Sequence, residues 1–439
     1  MPKRQYKVVS LFSGAMGLDI GLESTGRFKT LAAVELRAPF CETIRANRDA
    51  GRTSSRKMKV YEGDIRELSA EQLMDDLGIK PGELDLLVGG PPCQSFSTTG
   101  RRGTVQDPRG TLLWDFLRFV EVLQPKFFLM ENVRGLVSAA IRHRPIAERP
   151  DKGGAPLEAD ELPGSVLRKF VADLRASTAA DYRMDVFEVN AVNYGAPQLR
   201  ERVLFIGNRF GKVVEFPAPT HGQSDGLKPM STLRDVIGGL HELSPTVLDF
   251  SPRKKSFLAQ IPPGGNWRAL PENLQKESMG KAWFAKGGRS GWWRRLSFDL
   301  PSPTILTMPN HASTALCHPE QLRALTLREC ALIQEFPPAW TFCGTAQEQY
   351  AQVGNAVPTR LGLVAGQVLA HELDRVTAPA KIQKAGSLHD DNVRIVYLQS
   401  HVRTRKWFKK GQAVLWADGD GNADAHHTGP VTSRRVRSV

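Results

Sequence analysis

Short apolar runs that end in glycine, proline or a polar residue alternate with helix-length amphipathic stretches along the first 135 or so residues. Residues 7–12 (Lys-Val-Val-Ser-Leu-Phe) run into Ser13-Gly14-Ala15-Met16-Gly17, a strand, glycine-rich turn and helix start. Leu31 to Leu36, Asp85 to Val88 and Lys126 to Met130 are further runs; the last two lead into Gly89-Gly90-Pro91-Pro92 and Glu131-Asn132. Helical periodicity fills the gaps, notably over 111–123. Strands alternating with helices predict a doubly wound parallel α/β sheet, whose ligands collect at the carboxyl ends of the strands.

Beyond residue 137 the pattern changes. Residues 138–164 are rich in Arg, Pro, Gly and Asp with little periodicity, which predicts a surface insertion or mobile loop. Tyr182 to Val192 and Arg202 to Ile206 read as two more strands, with a tight turn at Asn193-Tyr194-Gly195-Ala196-Pro197. From 208 the chain loosens into Pro, Gly, Trp and Lys/Arg, as expected of a second domain. Helices near 326–335 and 359–375 close the regular part. The expected division is 1–207 with 345–377 as one domain, 208–344 as a smaller one, and 378–439 as a basic, partly disordered extension. Within that extension, Val393 to Leu398 and Gln412 to Trp416 are possible strands of a small appendage.

Composition narrows the function classes. The 439 residues carry a formal charge of +13, and the segment from 379 onward holds 11 Lys/Arg against 5 Asp. A basic chain suits a polyanionic partner, because neutralising phosphates releases counterions. No apolar run reaches the length of a membrane span, and the N-terminus leads straight into a strand, so an unexported cytoplasmic protein is expected. The five cysteines include no C-x-x-C pair, and His426-His427 has no cysteine partners, so neither a disulfide framework nor a metal site is expected.

Glycines at the first strand-to-helix turn let backbone approach a ligand, and Glu35, at the end of the next strand, could take two hydrogen bonds from ribose hydroxyls. Such turns are also ordinary structural punctuation, and the spacing is not that of the dinucleotide fingerprint. Asp64, in Gly63-Asp64-Ile65, could read an adenine amino group. The sharpest feature is Gly90-Pro91-Pro92-Cys93-Gln94-Ser95-Phe96-Ser97: two prolines stiffen the backbone before a thiol, and a polar loop with hinge glycines follows. Glu131 is its natural partner, since a partly buried carboxyl at a neighbouring strand end could donate a proton to a ring nitrogen.

Taken in order, Phe12-Ser13-Gly14, Pro91-Pro92-Cys93-Gln94, Glu131-Asn132-Val133, Gln198-Leu199-Arg200-Glu201-Arg202 and Gly354-Asn355-Ala356-Val357-Pro358 resemble the motifs of the DNA (cytosine-5)-methyltransferases over residues 7–375. The resemblance implies a class I S-adenosylmethionine-dependent methyltransferase sheet with a smaller target-recognition domain. It implies Cys93 as the nucleophile at cytosine position 6, Glu131 at ring nitrogen 3 and the exocyclic amine, and Arg202 at the base carbonyl, with Gln198 and Arg200 in the same catalytic motif. For the cofactor it implies Phe12, Ser13, Gly14, Gly17 and Leu18, then Glu35 and Leu36, Asp64 and Ile65, with Pro92, Leu112, Asn355 and Val357. Met16 stands where the family often has glycine. The target base must be flipped out of the duplex, with the 94–110 loop closing over it.

For DNA contacts the expected residues are Gln94, Ser97, Arg101, Arg102, Arg294 and Arg295; Arg294-Arg295-Leu296 with Pro303-Thr304-Ile305 also resembles the motif that organises the small domain. Trp267, Trp283, Trp292 and Trp293 are expected in that domain's core rather than stacked on bases. The implied substrate is double-stranded DNA, and the implied setting is a prokaryotic, nucleoid-associated modification enzyme of a restriction or phage-defence system. Two rivals remain at this level: an RNA cytosine-5 methyltransferase, and a catalytically silent DNA-binding subunit of the same fold.

Overall fold

The computed structural model describes residues 4–92, 112–177, 182–223, 225–284, 291–376 and 394–398, with the short strand segments 408–409, 412–413 and 435–438. β1 (Tyr6–Leu11), β2 (Phe28–Glu35), β3 (Lys59–Glu62), β4 (Leu86–Gly89) and β5 (Phe127–Asn132) alternate with α1 (Gly17–Glu23), α2 (Ala38–Asp49), α3 (Ala70–Leu77) and α4 (Leu112–Leu123). After α5 (Ser165–Ser177) come β6 (Arg183–Asn190) and β7 (Glu201–Asn208). The central strand order is β6-β7-β5-β4-β1-β2-β3.

β1 to β5 are mutually parallel, but β7 pairs antiparallel with both β5 and β6. The sheet is therefore mixed. β6 and β7 are joined by a tight turn through Gly195, at φ 98°, and a short connection can return a strand only antiparallel. The central strands are buried on both faces, against one core under α3, α4 and α5 and another under α1 and α11 (Thr359–Asp374). That burial explains their unbroken apolar runs.

The small-domain segment contributes short helices: α6 (Leu233–Ile237), α7 (Pro252–Leu258), α8 (Glu272–Met279) and α9 (Leu327–Ile333), followed by α10 (Ala346–Asn355). One cluster around Trp267, Trp293, Phe257 and Leu258 forms its own core, with Trp283 and Trp292 packed against it. A second runs from Leu296, Ile305 and Tyr350 to Ala15, Met16 and Ile44, tying this segment to the start of α1 and to α2.

The 138–164 insertion has internal ties, and the extension departs from the small appendage expected of it. The 138–164 segment is knit together by ion pairs of Arg142 with Glu158, Asp160 and Glu161, and of Arg144 with Glu161. In the extension, β8 (Arg394–Tyr397) pairs parallel with β6, and β11 (Arg435–Ser438) pairs antiparallel with β8, so both extend the main sheet instead of forming an appendage. Among the described residues only the pair β9 (Phe408–Lys409) and β10 (Gln412–Ala413) is separate. Among the described residues no helix is long and apolar enough to cross a membrane, and no His/Cys/Asp/Glu group is placed to hold a metal.

Candidate active site

Because β1 to β5 run parallel, Phe12, Glu35, Asp64, Gly90 and Glu131, which follow or end them, share one edge of the sheet. Glu131 lies opposite Leu204 in the β5–β7 ladder, and Arg202, two residues along β7, is its diagonal neighbour on the same face. Arg202 Nε stands 2.5 Å from Glu131 Oε1, and the carboxylate is buried at 8% exposure. Arg202 Nη1 also donates to the carbonyl of Glu201 at 2.7 Å, which fixes the fork.

The turn carrying the prolines is held beside this pair. Asn132 Nδ2 donates to the Pro91 carbonyl at 3.1 Å, and a Cβ on Gly90 would come within 3.1 Å of Glu131 Oε2. Glycine at 90 thus lets the chain pass directly over the carboxylate. Cys93, Gln94, Ser97, Arg101 and Arg102 follow this turn and lie outside the described residues.

At the other end of the edge, Gly14 N–H donates to Glu35 Oε2 at 2.9 Å and Arg37 N–H to Oε1 at 3.0 Å. Burial pushes the Glu35 carboxyl up, against the pull of these two amides. Leu36 beside it is 62% exposed, an apolar surface at the strand end. Asp64 accepts from its neighbour Arg66, whose guanidinium holds the acid down at about 2. Ile65 and Leu18 are buried, Leu112 is half-buried against the core, Pro92 and Asn355 are exposed, and Val357 is buried.

The loop between β1 and α1 is conformationally costly. Phe12, Gly14 and Met16 have φ of 54°, 56° and 65°, and a left-handed non-glycine residue costs roughly 1–2 kcal/mol. Met16 tolerates the conformation because its side chain is buried in the small-domain core cluster, which offsets the strain. Gly17 cannot be replaced in the same way, since a Cβ there would meet the Val357 carbonyl oxygen at 2.4 Å.

Four residues expected to touch ligand are engaged elsewhere. Gln198 is fully buried, with Nε2 donating to Gln334 Oε1 (2.6 Å) and the Ile333 carbonyl (3.1 Å). Arg200 is also buried; Nη1 donates to the Ile305 carbonyl at 2.8 Å and Nη2 to the Gly354 carbonyl at 2.9 Å. Burial drives its guanidinium pKa well down, and the neighbouring Arg202 adds to that. Arg295 donates to three carbonyls, of Pro319, Ile261 and Glu320, and Arg294 is buried. In this structure Gln198, Arg200 and Arg295 bond within the protein and Arg294 is packed inside it, so all four side chains are held by the fold itself. The partners of Gln198, Arg200 and Arg295 lie tens to more than a hundred residues away in sequence, so nothing local signalled these bonds.

A family model described as C-5 cytosine-specific DNA methylase matches residues 6–149 and 159–369. The chain belongs to this family. The unmatched stretch between the two blocks falls inside the 138–164 insertion. The chain is 36% identical over 375 residues to the Type II methyltransferase M.Sau96I of Staphylococcus aureus, covering 85% of this chain and 77% of that protein. To the Type II methyltransferase M.Eco47II of Escherichia coli it is 34% identical over 378 residues, covering 84% and 80%. A prophage-encoded Escherichia coli structure described as a candidate DNA modification methyltransferase shares the fold at TM-score 0.54 and 24% identity, covering 85% of this chain and all of that one. The methylase is thus a DNA cytosine-5 methyltransferase, and its methyl donor is S-adenosylmethionine.

Proposed function

We propose that the methylase modifies cytosine within one specific double-stranded DNA sequence, by base flipping and a transient covalent bond to Cys93, as the modification partner of a restriction or phage-defence system in a prokaryotic cytoplasm. The observation that carries the reading is the buried Glu131–Arg202 pair facing the Gly90-Pro91-Pro92 turn that immediately precedes Cys93.

In this reading the Cys93 sulfur, as thiolate, adds to position 6 of the extruded base, and the ring electron pair moves towards position 5. Glu131 holds ring nitrogen 3 and the exocyclic amine while charge develops there, and Arg202 fixes the carboxylate and reaches the base carbonyl. S-adenosylmethionine supplies the methyl group. Loss of the position 5 proton to solvent and expulsion of the thiolate then restore the aromatic ring and free Cys93.

The loop Phe12–Gly17, the Glu35 carboxylate, Leu36 and Asp64 fit an adenosyl ligand, since they offer backbone amides, a carboxylate for ribose hydroxyls, an exposed apolar face and a second acid along one edge. Pro92, Leu112, Asn355 and Val357 would complete that pocket. Residues 208–344 would read the target, with basic side chains meeting phosphates. The RNA rival loses ground because the matching family model is that of a cytosine-specific DNA methylase and the similar curated proteins are Type II methyltransferases; the silent-subunit rival lacks support because Glu131 and Arg202 are intact and paired.

The test is bisulfite sequencing of a plasmid from a host without cytosine-5 methylation, expressing the methylase or its Cys93→Ser variant. Protection of cytosines at one recurrent sequence, absent in the variant, is the expected result. Equal protection by the variant would remove Cys93 from the chemistry.

A further inference from the structure

α1 presents two carboxyls to the sheet, and they are treated very differently. Glu23 is fully partnered: Oε1 accepts from Thr30 Oγ1 at 2.6 Å and Ser54 Oγ at 2.5 Å, and Oε2 accepts from Ser54 N–H at 2.8 Å. Asp19, one turn earlier, is 2% exposed, faces the Ser10 side chain of β1, whose hydroxyl favours its ionised form, and leaves Oδ1 with no partner. An unpaired buried acceptor costs roughly 1–3 kcal/mol, so fold stability alone gives no reason for an acid here.

Its neighbours connect it to the strained loop. Ser13 Oγ lies 3.0 Å from Ser10 Oγ and 3.2 Å from the Ser10 carbonyl, and Ser13 N–H donates to the Val34 carbonyl at 3.1 Å. With Ser13 donating, the Ser10 hydroxyl hydrogen is free to turn towards Asp19, so the loop, Ser10 and the helix carboxyl line up in one direction. Ser13 sits between Phe12 and Gly14, both left-handed, and Gly14 N–H is the group that holds Glu35. A loop with three left-handed residues in five keeps one shape only if its anchors are stiff.

We propose that Asp19 is a positioning residue for the cofactor loop, acting through Ser10 and Ser13 to hold Phe12 and Gly14 in their strained backbone conformation. It touches neither cofactor nor base. The inference rests on the reading of Phe12–Gly17 and Glu35 as the S-adenosylmethionine site. Burial pushes the Asp19 carboxyl up to about 7, which fits a group kept where an ionised acid is expensive.

The test is calorimetric titration of the full-length protein with S-adenosylmethionine, comparing wild type, Asp19→Leu, Asp19→Asn, Ser13→Ala, the Asp19→Leu/Ser13→Ala double variant and Glu35→Ala. Asp19→Leu should weaken binding about tenfold, Asp19→Asn should recover most of the loss because an amide keeps the acceptor, and the double variant should be no weaker than Asp19→Leu by more than twofold. In turnover the change should fall on KM for the cofactor far more than on kcat. If Asp19→Leu does not fold, Ser10→Ala decides through the same coupling to Ser13→Ala, with Ser10→Ala expected to weaken binding and to be non-additive with it. Unchanged affinity in Asp19→Leu, or in Ser10→Ala where Asp19→Leu does not fold, or additive losses with Ser13→Ala, while Glu35→Ala still weakens binding, would overturn the role of Asp19 alone. Unchanged affinity in Glu35→Ala would overturn the site reading and this inference with it.

Discussion

Arg394 offers the most quantitative test of how the extension belongs to the enzyme. Its Nε lies 3.0 Å from Oδ1 of Asp185, a carboxylate with no exposed surface, while Nη1 reaches Glu215 at 2.9 Å and Nη2 the Val214 carbonyl at 2.5 Å. Removing one partner of a buried ion pair costs about 3–5 kcal/mol, because the other charge is stranded. Here the loss is softened: Asp185 Oδ2 keeps the Val214 N–H at 2.9 Å, and Arg183 Nη2 stands 3.5 Å from Oδ1. The link to the half-exposed Glu215 adds at most about 1 kcal/mol. We therefore expect Arg394→Met to destabilise the protein by about 2–3 kcal/mol, or about 4–6 °C in Tm at about 2 °C per kcal/mol for a chain of this size. Adding Asp185→Asn should restore roughly half, since the stranded charge is gone. Thermal melts of the four proteins of the double-mutant cycle measure this. An Arg394→Met variant melting within 1 °C of wild type, or a double variant as unstable as the single, would refute the claim that β8 is bound through a buried charge.

Three further outcomes follow from the site. Gly17→Ala drives a Cβ into the Val357 carbonyl, a backbone contact that cannot swing away, and should cost about 1–3 kcal/mol and most of the cofactor affinity; a cofactor titration within twofold of wild type would contradict the close approach. Arg202→Met leaves Glu131 buried without its 2.5 Å partner and should lower single-turnover methylation by about 10²–10³-fold, and a rate within twofold would free Glu131 from that dependence. The Asp19 carboxyl is raised by burial from 3.8 to about 7, with Glu23 on the next turn adding to the rise, so between about pH 4 and pH 7 the folded chain holds a proton that the unfolded chain releases. Stability from this group is complete at low pH and is lost as pH rises through that window. Asp19→Asn should accordingly melt higher than wild type at pH 8 and gain less at pH 5; a gain that does not grow with pH would contradict the shift.

What the sequence disclosed follows from which signals are local. The strand ends at Leu11, Glu35, Gly89 and Asn132 were readable because a fully buried strand needs an apolar run and its ligand-facing end needs glycine or a polar group, both written in consecutive residues. The direction of β7 was not, since an apolar run reads the same whichever way it pairs. Nor was the place of β8: Arg-Ile-Val-Tyr is short enough to suit any sheet edge, and only the distant Asp185 selects this one. Arginine is the residue for which local reading fails most, because in a basic protein every arginine looks like a phosphate contact. Arg294 and Arg295 are occupied by packing and by carbonyls of a fold that must exist before those carbonyls converge.

The spacing Gln198, Arg200, Arg202 shows why one segment can serve stability and chemistry together. In extended backbone, residues two apart point to the same face, so the three long polar side chains reach into the region between β7 and the small domain at successive depths. Gln198 meets Ile333 and Gln334 behind α9, Arg200 joins Ile305 to Gly354 beside Asn355, and Arg202 emerges against Glu131. Arg202 is aimed because Gln198 and Arg200 behind it are held by buried hydrogen bonds. A helix would have thrown the three side chains to different sides, and a flexible loop would have fixed none of them, so the extended backbone that leads into β7 is what lets Gly354 and Glu131 be held from one segment.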